Sequence, residues 1–553
     1  MSEGVTLTFL GGLGEIGRNC ACIEQDGRVV ILDCGVMFPE PDMPGIDLVL
    51  PDLTYLFERA KSVEAVILSH GHEDHTGGVP YLLRELNAPV YGSDLSLALV
   101  HEKLREAGLA KRARLIEVAD GDRIRVGPFD VEFIPVAHSV PRGFATAFHT
   151  SEGVVLHSGD FKLDMAPIDG RTTDLARIGA LAAGEGVRLL LSDSTNADEP
   201  GFTDSESSVG VALRQVMAEH RGSRVIVASF ASHIHRIQQV VTAARGGGRR
   251  IAALGRSMER NITVARSLGA LDLTEGDLVS IEEVPLLDPG TVCVLCTGSQ
   301  GEPMSALALL ANGENRFLKI ADGDVVVLSS HPIPGNEWFV GKVINGLARR
   351  GAQVVHTGVE KVHVSGHAKA GELMTLLSVA RPEFFVPVHG ELRHLAAHAR
   401  LAERMGVARR NVSIVEDGAR LHLQGDEIKP AGKASSSFLY VDGTVGDVGH
   451  GVLRDRRLLA QEGVVMAVVV VDLHAGEVVG EPEIITHGWV HADEAGDLLD
   501  DAREAVRRSV ELAIREGAVE HETFRKHVRR ALGRLVNERT RRRPLIVPVV
   551  VVV

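Results

Sequence analysis

Short apolar runs broken by Gly and Asp turns set the rhythm of the first part of the chain. Val5–Leu10, Asn19–Glu24, Val29–Asp33, Val63–Leu68, Val131–Val136, Val154–His157 and Val187–Ser192 each read as a strand. Helices fit at Tyr81–Leu86 and Leu95–Ala107. From about Ser205 the rhythm becomes a regular β/α alternation. It places helices at Ser207–Glu219, His235–Arg245, Met258–Leu268 and Glu337–Arg349, and strands at Arg224–Ser229, Arg250–Ala253, Thr291–Cys296 and Asp324–Leu328. Such alternation predicts a parallel sheet covered by helices. After Ala352 the β-rich character returns, so the α/β stretch reads as an inserted domain. Lys433–Ser437 is small and polar, as linkers are. The last unit has strands Val464–Val471 and Leu545–Val553 around an amphipathic helix over Glu494–Leu512 and a basic helix around Glu522–Val536. In the first of these helices Leu498, Leu499, Ala502, Val506 and Val510 recur at helical spacing, so it packs against something. The expected organisation is therefore 1–205, an insertion at 206–352, a return at 353–432, a linker at 433–463 and a terminal domain at 464–553.

A chain of 553 residues exceeds one ordinary core, in keeping with that division. The longest apolar runs, Val464–Val471 and Leu545–Val553, are far shorter than the roughly 20 residues of a membrane helix. Met1–Thr8 lacks the charged start and apolar run of a signal peptide, so a cytoplasmic protein is expected. Aromatic residues make up only 4%, which argues against a binding surface built mainly on base-stacking rings. The net charge of −15 is weak evidence against a nucleic-acid partner, because binding depends on local potential. Basic residues crowd the end of the chain, at Arg525, Lys526, Arg529, Arg530, Arg534, Arg539 and Arg541–Arg543. A solvated helix face, a subunit contact and an RNA contact all fit them. Of the five cysteines, Cys293 and Cys296 form a CxxC without the second pair a zinc ribbon needs, so buried thiols are expected. Gly12-Leu13-Gly14-Glu15-Ile16-Gly17 matches a dinucleotide fingerprint, but a strand rather than a helix follows it, and a hairpin-like loop is expected.

The candidate chemistry concentrates in His70-Gly71-His72-Glu73-Asp74-His75, directly after the run Val63–Leu68. Four metal-capable side chains in six positions at a strand end are delivered to one point. Imidazole and carboxylate suit zinc or manganese, and a site with an open position is hydrolytic. His138, Asp160 and His389 each end an apolar run and complete a two-metal site with a bridging carboxylate.

Taken in order, His70-x-His72-x-Asp74-His75, His138 and Asp160 resemble the motifs of the metallo-β-lactamase superfamily, with Asp33 at its first, structural motif. The insertion resembles that of the β-CASP nuclease branch, whose hallmarks match Asp193 in Ser192–Thr195, His367 in His363–His367, and His389. Within the branch the chain is most similar to the bacterial ribonuclease J family over nearly its whole length, including Phe9–Gly17 and Ser229–Ser232. The resemblance implies an α/β protein: a metallo-β-lactamase αββα sandwich with an inserted β-CASP α/β domain and a small C-terminal α+β domain. It implies two Zn²⁺ per subunit, or Mn²⁺ or Mg²⁺. His70, His72 and His138 would hold one ion, Asp74, His75 and His389 the other, with Asp160 between them. Asp193 and His367 would handle protons, and which of them serves the leaving oxygen stays open. Ser232, His233, Ile234 and His235, with His363, Val364, Ser365, Gly366 and His367, would hold substrate phosphate. The loop Thr297–Gly301 fits either phosphate binding or helix capping. A structural Ca²⁺ near Asp47 and Asp442 is the one further metal position considered.

The implied activity is 5′→3′ exonuclease and endonuclease cleavage of single-stranded RNA in RNA processing and mRNA decay. Its product would carry a 5′-phosphate, and 5′-monophosphorylated RNA is the expected substrate. A homodimer or homotetramer joined through the terminal unit, and membership of an RNA-degradation complex, are implied as well. The alternatives are a β-CASP DNA nuclease, a small-molecule metallo-hydrolase and a scaffold. His389 argues against the first, the polymer-sized insertion against the second and the full ligand set against the third.

Overall fold

The computed structural model describes residues 4–333, 336–443, 448–490 and 495–553. The chain divides into two units, Met1–Phe38 with Val49–Phe438, and Pro39–Leu48 with Leu439–Val553.

In the larger unit an eight-stranded and a six-stranded sheet face each other. Leu7, Phe9, Ile23, Val30 and Ile67 of the first meet Phe129, Phe133, Phe148, Leu189 and Phe384 of the second in one buried cluster. Alternation along each strand sends the other side chains outward, where helices cover them. Leu82, Leu83, Val100 and Leu104 lie over one sheet, and Ile178, Leu373, Leu377 and Leu401 over the other. The result is an αββα sandwich.

Register places the site. Arg28–Leu32 runs parallel to Val63–Ile67, with Leu32 opposite Ile67, so Asp33 and the segment Leu68–His70 leave the sheet side by side. In the facing sheet His157 pairs with Leu191 and Asp193 with Val388, both in parallel. Asp160, Asp193 and His389 therefore emerge at the carboxyl ends of neighbouring strands, where α/β sheets form their crevices.

The strands Val187–Asp193 and Phe384–Val388 are neighbours in the sheet although an entire domain lies between them in sequence. That domain is a five-stranded, all-parallel sheet. Helices Ser207–Glu219, Ile234–Gly246 and Arg256–Ser267 cover one face, and Ala306–Asn312 and Glu337–Ala348 the other. Its last strand, Gln353–Val355, pairs with Val325–Leu328, so the insertion runs past the boundary expected at 352. Arg236, fully buried, ties the insertion to the returning chain. Its Nε donates to Glu206 Oε1 at 2.7 Å, and its Nη1 donates to the carbonyls of Ser329 at 2.9 Å and Val362 at 3.1 Å. Glu206→Ala leaves this guanidinium without its counter-charge. It is expected to lower the stability of the larger unit by about 3–5 kcal/mol in denaturant unfolding. An unchanged midpoint would show that the ion pair is dispensable.

In the smaller unit Glu477–His487, Val464–Asp472 and Leu545–Val552 form one sheet. Helices Gly496–Arg515 and His521–Thr540 pack on it through Leu499, Ala502, Val506, Val510, Phe524, Val528 and Leu532. Glu494, the expected start of the first helix, lies outside the described residues.

Several sequence expectations change. The stretch 433–463 carries a helix, Gly449–Glu462, and is not a plain linker; its residues 444–447 lie outside the described residues. Its pattern is dominated by charge, which hid the helix. Leu175–Ala183, Ala370–Ala380 and Leu392–Arg404 are helices the apolar-run reading passed over. All five cysteines are buried thiols, as expected. The glycine loop leads from Val5–Gly11 to an antiparallel strand, Cys20–Gln25, and not to a helix. Among the described residues no helix is long and apolar enough to cross a membrane.

Candidate metal centre

His70 sits in the loop after Val63–Ile67, and the following Glu73–Thr76 is a single helical turn that carries Asp74 and His75. His72 lies in extended backbone just before that turn. The turn is seated by Gly35: a Cβ there would lie 1.6 Å from the Asp74 carbonyl oxygen, so no larger residue fits. His389 has φ +53, a conformation a non-glycine residue adopts only under constraint from its surroundings.

The donor atoms form two pockets with one shared corner. In the first, His72 Nδ1 is 3.0 Å from His70 Nε2 and 3.2 Å from His138 Nε2. Asp160 Oδ2 is 3.5 Å from His70 Nε2 and 3.8 Å from His138 Nε2. In the second, His75 Nε2 is 3.2 Å from Asp160 Oδ2 and 3.5 Å from Asp74 Oδ2. Asp74 Oδ2 is in turn 3.4 Å from His389 Nε2. A tetrahedral ion with bonds of about 2.0–2.1 Å needs ligand atoms about 3.3 Å apart, and these spacings cluster around that value. Asp160 Oδ2 and His389 Nε2 are buried without a hydrogen bond, which marks the shared corner and one vertex as positions for a cation. The donor set therefore fits two divalent ions.

Burial and charge act differently on the two pockets. Burial drives His72 down to about 4 and lowers His70 and His138 well below the usual imidazole range, so all three offer lone pairs. In the second pocket burial opposes charge, but Asp160 outweighs it and raises His389 to about 10. Asp160 likewise holds His75 well above its usual value against burial. Burial would raise the Asp160 carboxyl, yet His389, His75 and His70 keep it ionised. Metal binding at such a site displaces protons.

A second layer aims the ligands. Asp33 Oδ2 accepts from His75 Nδ1 at 2.8 Å and from Ser69 Oγ at 2.7 Å. The Gly366 carbonyl accepts from His138 Nδ1 at 2.8 Å, so His138 turns Nε2 toward the first pocket. Asn19 Nδ2 donates to the Asp74 carbonyl at 3.2 Å. Sequence reading missed Asn19 and Ser69, since each looks like an ordinary loop residue. Asp33→Asn is expected to weaken metal affinity by about 10–100-fold, measured by competition with a chromogenic chelator. Unchanged affinity would remove Asp33 from that role.

Asp193 could group with Asp160, His367 and His389 around a further ion. Its carboxylate is already committed, however. Oδ2 accepts from His367 Nδ1 at 2.8 Å, and Oδ1 from Thr195 Oγ1 at 2.8 Å and Thr195 N at 3.0 Å. These bonds hold the carboxylate in place beside the His367 ring. The His367 carbonyl accepts from Thr203 Oγ1 at 2.7 Å and Asn196 Nδ2 at 3.2 Å, which fixes its main chain, while Asp193 orients the ring. Its centroid lies 5.0 Å from that of His138 and 5.5 Å from that of His389.

The expected substrate residues border this centre unevenly. His233 caps the helix Ile234–Gly246 by accepting from Arg236 N, and its Nε2 is buried without a hydrogen bond. Ser232 is half-buried in the turn before it. His235 bonds the His138 carbonyl at 3.2 Å and Asp169 Oδ2 at 3.0 Å. Ile234 and Val364 turn their side chains into the core, leaving only backbone for a ligand. His363 lies 3.3 Å from Arg236 Nη1, and Ser365 Oγ accepts from Asn196 at 2.8 Å and from the His367 N–H at 3.1 Å. In Thr297–Gly301, Gln300 bridges the His331 carbonyl and the Ile333 N–H. The helix beyond that loop is capped by Ser305 instead. Within the smaller unit, Asp47 accepts from Gly443 N and Asp442 pairs with Arg456, so both carboxylates have protein partners.

Comparison with known proteins agrees with the geometry. Four family models match: the metallo-beta-lactamase superfamily over residues 13–194, the ribonuclease J beta-CASP domain over 222–347, the Zn-dependent metallo-hydrolase RNA specificity domain over 352–414, and the ribonuclease J C-terminal domain over 451–553. The chain is 40% identical to ribonuclease J 1 of Streptococcus pyogenes over 98% of this chain and 96% of that one. It is 42% identical to ribonuclease J of Mycobacterium tuberculosis over 100% and 98%. Against ribonuclease J2 of Bacillus subtilis identity is 40% over 99% of each. A crystal structure of a protein of unknown function from Enterococcus faecalis superposes with a TM-score of 0.53 at 16% identity, covering 76% of this chain and all of that one.

Proposed function

Because this chain belongs to the ribonuclease J family, we propose that it is a metal-dependent ribonuclease that degrades single-stranded RNA from its 5′ end and also cuts internally. The observation that carries the reading is the pair of donor pockets sharing Asp160 Oδ2, buried and without a hydrogen bond. Two divalent ions held there, zinc first among them, would supply Lewis-acid charge and lower the pKa of water toward about 7. His70, His72 and His138 would hold one and Asp74, His75 and His389 the other, with Asp160 available to both. His367, oriented by Asp193, delivers the proton to the departing 3′ oxygen. Ser232, the His233 ring and the segment His363–Gly366, whose Gly366 carbonyl meets His138, receive the phosphate next to the scissile bond. The protein acts in the cytoplasm as a homodimer or homotetramer joined through the terminal unit, and within an RNA-degrading assembly. Half-buried Val464, Met466, Val468 and Val470 on the sheet face away from the helices support the subunit contact.

Digestion of one sequence as RNA and as DNA, with 5′-monophosphate, 5′-triphosphate or 5′-hydroxyl ends, tests this. Metal-dependent release of mononucleotides from monophosphorylated RNA is expected, with DNA spared and activity lost to a chelator. Cleavage of DNA as fast as RNA, or RNA left intact with zinc and with manganese, would overturn it.

A further inference from the structure

The helix His521–Thr540 buries Phe524, Val528, Leu532 and Val536 on one side. Its outward side carries Arg525, Lys526, Arg529, Arg530 and Arg534, all exposed. No carboxylate occurs in the helix between Thr523 and Asn537. Among the described residues none of these five cations has an acidic partner within ion-pair distance, whereas on the neighbouring helix Arg503, Arg507, Arg508 and Arg515 each have one. Like charges three or four residues apart destabilise a helix. A chain with net charge −15 has ample carboxylates to relieve them, yet this face stays unpaired.

We propose that this stripe is a second RNA contact, made by residues other than those of the metal centre, that grips the phosphate backbone of the substrate. The inference rests on the ribonuclease reading. The five cations span about 14 Å of helix axis at 1.5 Å per residue. Four of the five are arginines, whose planar fork suits phosphate oxygens. A backbone contact of this kind carries no sequence preference and is salt-sensitive. Charge complementarity favours the polyanion that the catalytic unit already handles over an acidic protein.

The test compares the full-length protein with a variant carrying R525Q, K526Q, R529Q, R530Q and R534Q. Binding of a 5′-labelled 40-nucleotide RNA is followed by fluorescence anisotropy in chelator, so that nothing is cleaved. For single strands the slope of log affinity against log salt is about −0.7 per phosphate neutralised, so the variant's slope should be shallower by about 3.5. Affinity at ~50 mM salt should fall at least tenfold. With metal restored, cleavage of a five-nucleotide RNA should stay within about twofold of the parent, since the metal ligands are untouched and so short a strand offers few phosphates to the stripe. The K526Q/R530Q/R534Q variant should lose about 2 units of slope. Unchanged slope and affinity would overturn the proposal. So would a change in sedimentation behaviour with RNA binding intact, which would make the face a subunit contact. Failure of the parent to cleave the short RNA would count instead against the ribonuclease reading.

Discussion

Asp160→Ala is expected to empty both metal positions together and to lower RNA cleavage by roughly 10³–10⁴-fold. Among the described residues Asp160 is the one member common to the two pockets, its Oδ2 lying 3.5 Å from His70 Nε2 and 3.2 Å from His75 Nε2. Its other oxygen, Oδ1, lies 2.9 Å from His389 Nδ1 and so also orients a ligand of the second pocket. Lewis-acid stabilisation is worth several kcal/mol, and each ~1.4 kcal/mol is tenfold in rate. Metal analysis after dialysis should show close to two ions per parent chain and fewer than one in the variant. His72→Ala and Asp74→Ala each lie in one pocket, so each should lose about one ion. Full metal content in Asp160→Ala would show that the shared corner is not a ligand.

His367→Ala is expected to lower the chemical step by about 10²–10⁴-fold, the usual worth of a positioned proton donor, with metal content unchanged. Burial disfavours the imidazolium, but Asp193 at 2.8 Å outweighs it and holds His367 above its ordinary value. The donor is competent only when protonated, so the rate should fall as pH rises through the His367 pKa. Asp193→Asn removes the largest raising influence, and the fall should then begin at lower pH. A substrate with sulfur in place of the leaving 3′ oxygen needs no proton at departure. It should restore most of the lost rate in His367→Ala. If the sulfur substrate is cleaved no faster by the variant than the natural one, His367 is not the donor to that oxygen.

The candidate metal donors were legible in the chain because metal chemistry restricts residue type so narrowly. Four donors in six residues after a buried strand have few other uses, and His138, Asp160 and His389 each stand where an apolar run stops. The α/β insertion could likewise be read from the change of rhythm near Ser205 and its reversal after Ala352, whereas the αββα sandwich around it was implied by the family resemblance. Helices with an ambiguous surface pattern were less legible. Ala370–Ala380 buries Leu373, Leu376 and Leu377 in a mostly apolar segment, where helical and extended periodicities look alike. Gly449–Glu462 hides few side chains at all, and Leu453 is its one fully apolar anchor among the described residues.

What the sequence by itself determined was composition-bound: which side chains could ligate, which runs had to be buried, and where the fold was interrupted. What only the tertiary structure decided was which atom of each ligand faces which pocket. The His138 ring is turned by the carbonyl of Gly366, far away in the chain. His75 is turned by Asp33 across a parallel strand pair. Asp193 stands beside His367 because the strands on either side of the insertion meet in one sheet. Residue type records the capacity to bind a metal or move a proton. Orientation comes from backbone carbonyls and sheet register, which leave no local mark in the chain.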